Sequence, residues 1–386
     1  MSEIKVNSIK GVGASTAAIT VNNSDGTCTA NITNNLSNRN LIINGAMQVA
    51  QRGTSSTSTG YQTVDRFKVS YGGTDEAPTQ AQVDVASGTT PYTLGFRKAL
   101  RVTNGNQTSG AGADDYITIN HRVEAQNVAQ SGWNYLSSSS NITFSFWVKS
   151  SVAQTFYIVI TNNDGTTYNY PVETGSLTAD TWTKITKTIP GNSNLTFNND
   201  NGKGLEFDIQ LFRGTNTTGS VTLNQWATFA SATRTPDSTS TWYTTNDATF
   251  EITGVQLEVG SVATDFEHRS FAQELALCER YFEKSYNYSV VAGTATDEGL
   301  VMWLANRNPG LPHTSLRYKT PKRANPTVTI FNTNTADSNT LRDKDGAADL
   351  TPQITRLGQS GCTIHTNTSV ALGNFIAYHY TAVAEL

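Results

Sequence analysis

Residues 142–149 alternate without a break: Ile142, Phe144, Phe146 and Val148 fall on one side of an extended chain, and Thr143, Ser145, Trp147 and Lys149 on the other. Only a repeat of two separates those sets, because a helix would spread both around its circumference. The pattern recurs. Phe156, Ile158 and Ile160 form one row, and Leu205, Phe207, Ile209 and Leu211 form another, with Glu206, Asp208 and Gln210 facing away. Between 250 and 259 the phase slips from Phe250 and Ile252 to Val255, Leu257 and Val259, and Gly254 at the slip predicts a bulge. Strand after strand with one apolar face implies antiparallel sheets packed face to face, so the expected fold class is an all-β sandwich.

Composition agrees. Only 15% of the 386 residues are charged, against about 25% in an average globular chain. Thr, Ser, Asn and Gly fill the gap, as in 54–60, and suit strands and turns. The net charge of −4, from 27 basic and 31 acidic residues, offers no polycationic surface to nucleic acid or an anionic membrane. No apolar run approaches the roughly 20 residues of a membrane span, so neither nucleic-acid binding nor membrane insertion is expected. Cys28, Cys278 and Cys362 are too sparse for a disulfide framework and lack metal-ligand spacing. Residues 1–10 are polar and show no signal-peptide core, which predicts synthesis in a cytoplasm and release by lysis or within a particle.

Four segments follow. Residues 1–39 hold only short apolar pairs (Ile4 and Val6, Ile19 and Val21), with Asp25-Gly26 as a hairpin turn before Cys28, Ala30 and Ile32. They read as an extended arm, either disordered or docked on identical copies or a neighbouring protein. Residues 40–268 read as one large β domain. In 269–285, Ser270 and Gln273 make a capping box, and Phe271, Leu275, Cys278 and Phe282 follow at spacings of four, three and four. That is either a self-associating seam or a helix lying on a sheet; as a spacer the segment would measure about 24 Å. Residues 286–386 read as a smaller β knob with loops at 306–313 and 332–349, ending on the alternating strand Ile376, Tyr378, Tyr380.

Catalytic patterns are missing: there is no G-x-S-x-G elbow, Walker loop, H-E-x-x-H or Cys/His zinc set. His121, His268, His313, His365 and His379 are scattered without ligand spacing. Glu206 and Asp208 share a strand face about 7 Å apart, within the inverting-glycosidase range, but two neighbours on one strand do not straddle a bond. The aromatics are more informative, because sugar rings stack on indole and phenol faces while polar groups fix the hydroxyls. If their strands share a sheet, Trp147, Glu206, Asp208 and Gln210 make a saccharide platform, with Trp133, Tyr135, Trp242 and Tyr243 as a rim. An outward Trp147 serves equally as an interface anchor. Arg317, Tyr318, Lys319, Lys322 and Arg323 form a basic cluster suited to an anionic surface polysaccharide, or a solvated loop.

Several stretches resemble known families. Asn40-Leu41-Ile42-Ile43-Asn44-Gly45-Ala46-Met47-Gln48 resembles the N-x-x-x-N-G-x-F-E opening of carbohydrate-binding modules of the family 4/9 jelly-roll type. Phe144-Ser145-Phe146-Trp147-Val148-Lys149, Trp182-Thr183-Lys184-Ile185 and Ile252-Thr253-Gly254-Val255-Gln256-Leu257-Glu258 continue that resemblance in order. Gln51-Arg52-Gly53 with Val64-Asp65-Arg66-Phe67 is similar to the opening of phage tail-fibre proteins. Similar to them as well are Gln256-Leu257-Glu258-Val259-Gly260 leading through Ala263-Thr264-Asp265-Phe266 into Glu274-Leu275-Ala276-Leu277-Cys278-Glu279-Arg280-Tyr281-Phe282, and the stretch Tyr380-Thr381-Ala382-Val383-Ala384-Glu385-Leu386.

These resemblances imply an antiparallel jelly-roll sandwich, a linker helix, a C-terminal β-sandwich knob and a homotrimer. The function they imply is a non-enzymatic virion appendage that docks on other virion proteins through its N-terminal arm and adheres to host surface polysaccharide, primarily through the C-terminal knob. The competing readings are a polysaccharide depolymerase and a purely structural capsid or baseplate decoration protein. Carbohydrate-binding modules of this type often hold a structural calcium through carboxylates. Gln48 and Gln256 stand at or near the expected acids, which argues against the ion although Glu258 and backbone carbonyls remain as ligands.

Overall fold

The computed structural model describes residues 6–12, 17–21, 24, 28–30, 39–305 and 313–386, the strand at 28–30 by its backbone alone. Strands β1 (Ser8–Ile9), β2 (Ile19–Val21) and β3 (Cys28–Ala30) form a small antiparallel sheet. Val21 pairs with Cys28 as the expected hairpin requires, while its Asp25-Gly26 turn lies outside the described residues. The segment expected as an extended arm is therefore partly paired with itself.

The next strands are β4 (Ser55–Ser56), β5 (Phe67–Gly72), β6 (Thr79–Asp84), β7 (Lys98–Thr103), β8 (Tyr116–Glu124) and β9 (Asn141–Ser150). They continue as β10 (Thr155–Asn162), β11 (Tyr168–Ser176), β12 (Thr183–Pro190), β13 (Lys203–Arg213), β14 (Ala227–Thr228) and β15 (Thr249–Val259). Two six-stranded antiparallel sheets result, β12-β9-β15-β7-β6-β4 in front and β14-β11-β10-β13-β8-β5 behind. The chain passes repeatedly between them, as in a jelly roll. Alternation explains the packing: Phe144 of β9 stacks on Phe207 of β13 with ring centroids 4.5 Å apart, and Phe156 of β10 meets Phe250 of β15 at 4.9 Å. Register breaks between Thr253 and Gln256, where Gly254 takes φ +63°, so the expected bulge is present.

The helix is shorter than expected. It spans Phe271–Glu279, with the Ser270–Gln273 capping box formed. Nine residues rise only about 14 Å, and Phe282 already begins a strand. Nor do the seam residues share one free face. Phe271 is exposed, Leu275 half-buried, and Cys278 and Phe282 are buried inside the chain. No helix among the described residues is long and apolar enough to cross a membrane.

The C-terminal unit comprises β16 (Phe282–Lys284), β17 (Val301–Leu304), β18 (His313–Arg317), β19 (Thr327–Phe331), β20 (Leu341–Asp343), β21 (Ala348–Leu350), β22 (Pro352–Gly358), β23 (Gly361–Thr366) and β24 (Phe375–Val383). Strand β24 pairs with β16, β17, β19 and β20, and a second sheet, β18-β23-β22, packs on it through Leu316, Cys362, Ile364, Ile376 and Tyr378. Of the expected loops, 332–349 folds partly into the β20–β21 hairpin, and 306–312 lies outside the described residues.

This smaller β unit is joined to the jelly roll by buried charge. Arg66, 1% exposed, pairs with Glu385, donates from Nη2 to the Arg122 carbonyl at 2.8 Å, and stacks its guanidinium 3.5 Å over Tyr281. Burial opposes the Arg66 charge most strongly, but Glu385, Tyr281 and Tyr61 together outweigh it, so its pKa is raised. Arg52 pairs with the same carboxylate at 3.0 Å and lies 3.7 Å over Phe282. Arg280 grips Glu124 with two hydrogen bonds, at 2.7 and 2.8 Å. Burial works against the Glu124 charge, but these bonds and that of Tyr281 outweigh it and hold its pKa below the ordinary range. The stretches that resemble tail-fibre openings and endings therefore meet at one interface.

Candidate functional site: a hollow on the front sheet

On the front sheet Trp147 stands directly between Lys184 of β12 and Thr253 of β15. Residues in direct register point to the same side about 5 Å apart, so a half-exposed indole and an exposed ammonium lie side by side. The bulge completes the site. A Cβ at Gly254 would meet the Phe96 ring at 2.6 Å, so only glycine lets that ring lie on the strand. Phe96, Phe266 and His268 pack as a triangle with centroids 4.9–5.1 Å apart. His268 Nε2 donates to the Leu94 carbonyl at 2.9 Å, which fixes the ring's orientation.

Trp147, Lys184, Ser145 and that triangle line a hollow of about 220 Å³. This is below the ~300–1,000 Å³ of drug-sized pockets and suits one ring of a ligand. Beside it, Lys149 lies 5.3 Å over the Trp182 ring, and the buried Glu251 is held by Lys149 at 2.9 Å and Arg101 at 2.7 Å. Among the described residues no carboxylate pairs with Lys184.

The other expected contacts lie elsewhere. Glu206, Asp208 and Gln210 belong to β13 in the back sheet, so they and Trp147 occupy opposite outer faces and share no platform. Alternation reports which side of its own strand a residue faces, not which sheet the strand joins. Their polar groups are also engaged. Glu206 pairs with Arg122 at 3.0 Å and Lys203 at 2.7 Å, which hold its pKa down against burial. Asp208 accepts from Asn120 at 2.8 Å, and burial raises its pKa. Gln210 accepts from Thr235 at 2.9 Å.

The rim aromatics are core instead. Trp242 and Tyr243 are fully buried, the indole N–H donating to the Thr249 carbonyl at 3.1 Å and the phenol to Asp115 at 3.0 Å. Trp133 is also buried, and Tyr135 packs against the core. A loop-like composition concealed segments folded inward.

The basic cluster is a clasp, not a receptor patch. Lys322 and Glu283 pair at 2.6 Å with both side chains fully buried, and Tyr318 is buried. Arg323 donates to the carbonyls of Ala384, Glu385 and Asn201 at 2.7–2.9 Å. Lys319 pairs with Glu279 at 3.3 Å while staying exposed, as does Arg317 on β18. Local sequence showed the charges but not the acids, which arrive from 279–283.

At the suspected calcium position, Gln256 donates to Glu258 at 2.8 Å and accepts from the Glu267 amide at 2.8 Å. Gln48 accepts from Gln82 and Tyr288 through its backbone carbonyl. The residues that complete the hollow, Phe96, Phe266, His268 and Lys184, were not singled out as ligand contacts. Lys184 was the legible one, since it stands in the Trp182-Thr183-Lys184-Ile185 stretch that resembles carbohydrate-binding modules.

No protein-family model and no curated protein matches the sequence. Solved structures similar to it include the enzymatically active domain of tailspike protein 4 of bacteriophage CBA120, at 10% identity over 57% of this chain and 21% of that one, TM-score 0.30. A family 4 carbohydrate-binding module matches at 13% identity over 57% of this chain and 99% of its own, TM-score 0.29. A putative sugar-binding protein of Bacteroides thetaiotaomicron matches at 12% identity over 57% and 100%, TM-score 0.31. At such scores these likenesses carry no functional argument, and the all-β jelly-roll assignment rests on the strand order itself.

Proposed function

We propose that this chain is a non-enzymatic, glycan-binding subunit of a phage virion appendage, and that the hollow beside Trp147 is where it takes a sugar. The observation that carries the binding reading is the half-exposed indole flanked by Lys184 and Ser145 over an aromatic floor. Stacking and a polar neighbour are what a pyranose needs. The virion assignment rests on the tail-fibre-like stretches, and their convergence at one junction supports reading them as one architecture. A homotrimer and particle docking through residues 1–39 belong to the same proposal, although the buried Cys278 and Phe282 leave no helical seam to support it. The adhesive contact shifts from the C-terminal unit to the front sheet, because most of the basic cluster is consumed internally.

The test is glycan-array binding by the purified protein and by Trp147→Ala, together with an assay for released reducing ends. The expected outcome is binding that falls about tenfold in the variant, from the loss of roughly 1.4 kcal/mol of stacking, with cooperative melting retained and no reducing ends. Binding indifferent to Trp147 would sink the site. Release of reducing ends would favour the depolymerase.

A further inference from the structure

Resting on that reading, we infer that the hollow selects an acidic saccharide, a sugar ring bearing a carboxylate, which lies on Trp147 while its carboxylate meets Lys184. The geometry is a paired register: Lys184 is cross-strand from Trp147 and on the same side. A ring resting on the indole therefore places its edge substituent within reach of the ammonium. Lys184 is exposed and has no carboxylate partner among the described residues, unlike Lys149, whose charge is answered by Glu251. Asp265, the acid among the lining residues, already has a partner, and its carbonyl takes the Arg39 guanidinium. A second exposed cation edges the same region: Arg97 lies 4.0 Å over the Tyr92 ring, which packs in one cluster with Trp147, Trp182 and Phe266. A neutral sugar leaves the Lys184 charge without a counterpart; a uronate or sialate supplies one.

The experiment is a titration followed by tryptophan fluorescence and calorimetry. It uses tetragalacturonate against its methyl ester, and sialyllactose against lactose. We expect at least one acidic probe to bind about fivefold more tightly than its neutral counterpart, as for an ion pair worth ~1 kcal/mol. That preference should shrink in about 0.5 M salt, and Lys184→Gln should bring the acidic probe to the level of its counterpart. Equal binding of acidic and neutral members in both pairs overturns the inference and leaves the Trp147 site standing. Acid-selective binding that survives Lys184→Gln also overturns it. Failure of both acidic probes to bind overturns it outright, and acid-selective binding unaffected by Trp147→Ala would show instead that the hollow itself was misassigned.

Discussion

At the junction between the jelly roll and the C-terminal unit, charges are paired and largely withdrawn from solvent: Arg66 and Arg52 on Glu385, and Arg280 on Glu124; Lys322 on Glu283 repeats the pattern inside the C-terminal unit. At the hollow, an exposed Lys184 stands beside an aromatic face with no such partner among the described residues. Both places are rich in cations and aromatic rings. What separates them is whether the surrounding protein completes the interactions. Completed charges leave nothing for an outside group to meet; on the proposed reading, the incomplete one is left for a ligand.

The largest effect should follow from breaking the completed side. Arg66→Met leaves a buried Glu385 with only Arg52 and removes the stack on Tyr281. The expected loss is about 3 kcal/mol, read as a lower urea midpoint, with binding at the hollow unchanged once the protein is folded. An unchanged midpoint would mean that the junction holds nothing together.

Acidification probes the same side more gently. His379 is buried; its Nε2 donates to the Thr296 carbonyl at 3.0 Å, its Nδ1 lies 2.9 Å from Ser285 Oγ, and its ring stacks 3.8 Å from Tyr286. Burial lowers its pKa, and that of His121 further still. The unfolded chain then binds more protons below its histidine pKa of ~6.5. Stability should therefore be full above that value and be lost as pH falls toward the folded values. Thermal melts across that window should show the decline, and His379→Gln should remove part of it. A flat profile would contradict the assignment.

The smallest effect tests the back sheet. Glu206 resembles a ligand-binding acid in sequence but is occupied by Arg122 and Lys203. Glu206→Gln should leave sugar binding unaltered and cost at most ~1 kcal/mol, as for a partly exposed pair. A loss of binding comparable to that of Trp147→Ala would reverse the comparison between the two faces.

Much of the fold was legible because it depends on local pattern. The inward rows at 142–148 and 205–211, the bulge at Gly254 and the Ser270 cap each follow from neighbours a few residues away. The site was less legible because it depends on which strands adjoin. Trp147 was readable as outward, but its partner Lys184 lies 37 positions on, across the β9–β12 ladder. The same blindness turned Lys322 and Arg323 into a supposed surface patch, when Glu283 and the Ala384 carbonyl were waiting to bury them. A short helical pattern likewise could not reveal that Cys278 faces the chain's own interior.

The pairing of β16 with β24 has a consequence for how this architecture can vary. Lys284 lies opposite Thr381, and the Ser285 amide donates to the Tyr380 carbonyl at 3.1 Å. The chain thus enters and leaves the C-terminal unit on adjacent strands, and what lies between is topologically an insertion with both ends fastened together. Closing such an excursion costs only about 0.6 kcal/mol more for each doubling of its length. The segment between Ser285 and Tyr380 can accordingly be lengthened, shortened or exchanged in evolution as a cassette, provided that the residues facing the junction keep their charges.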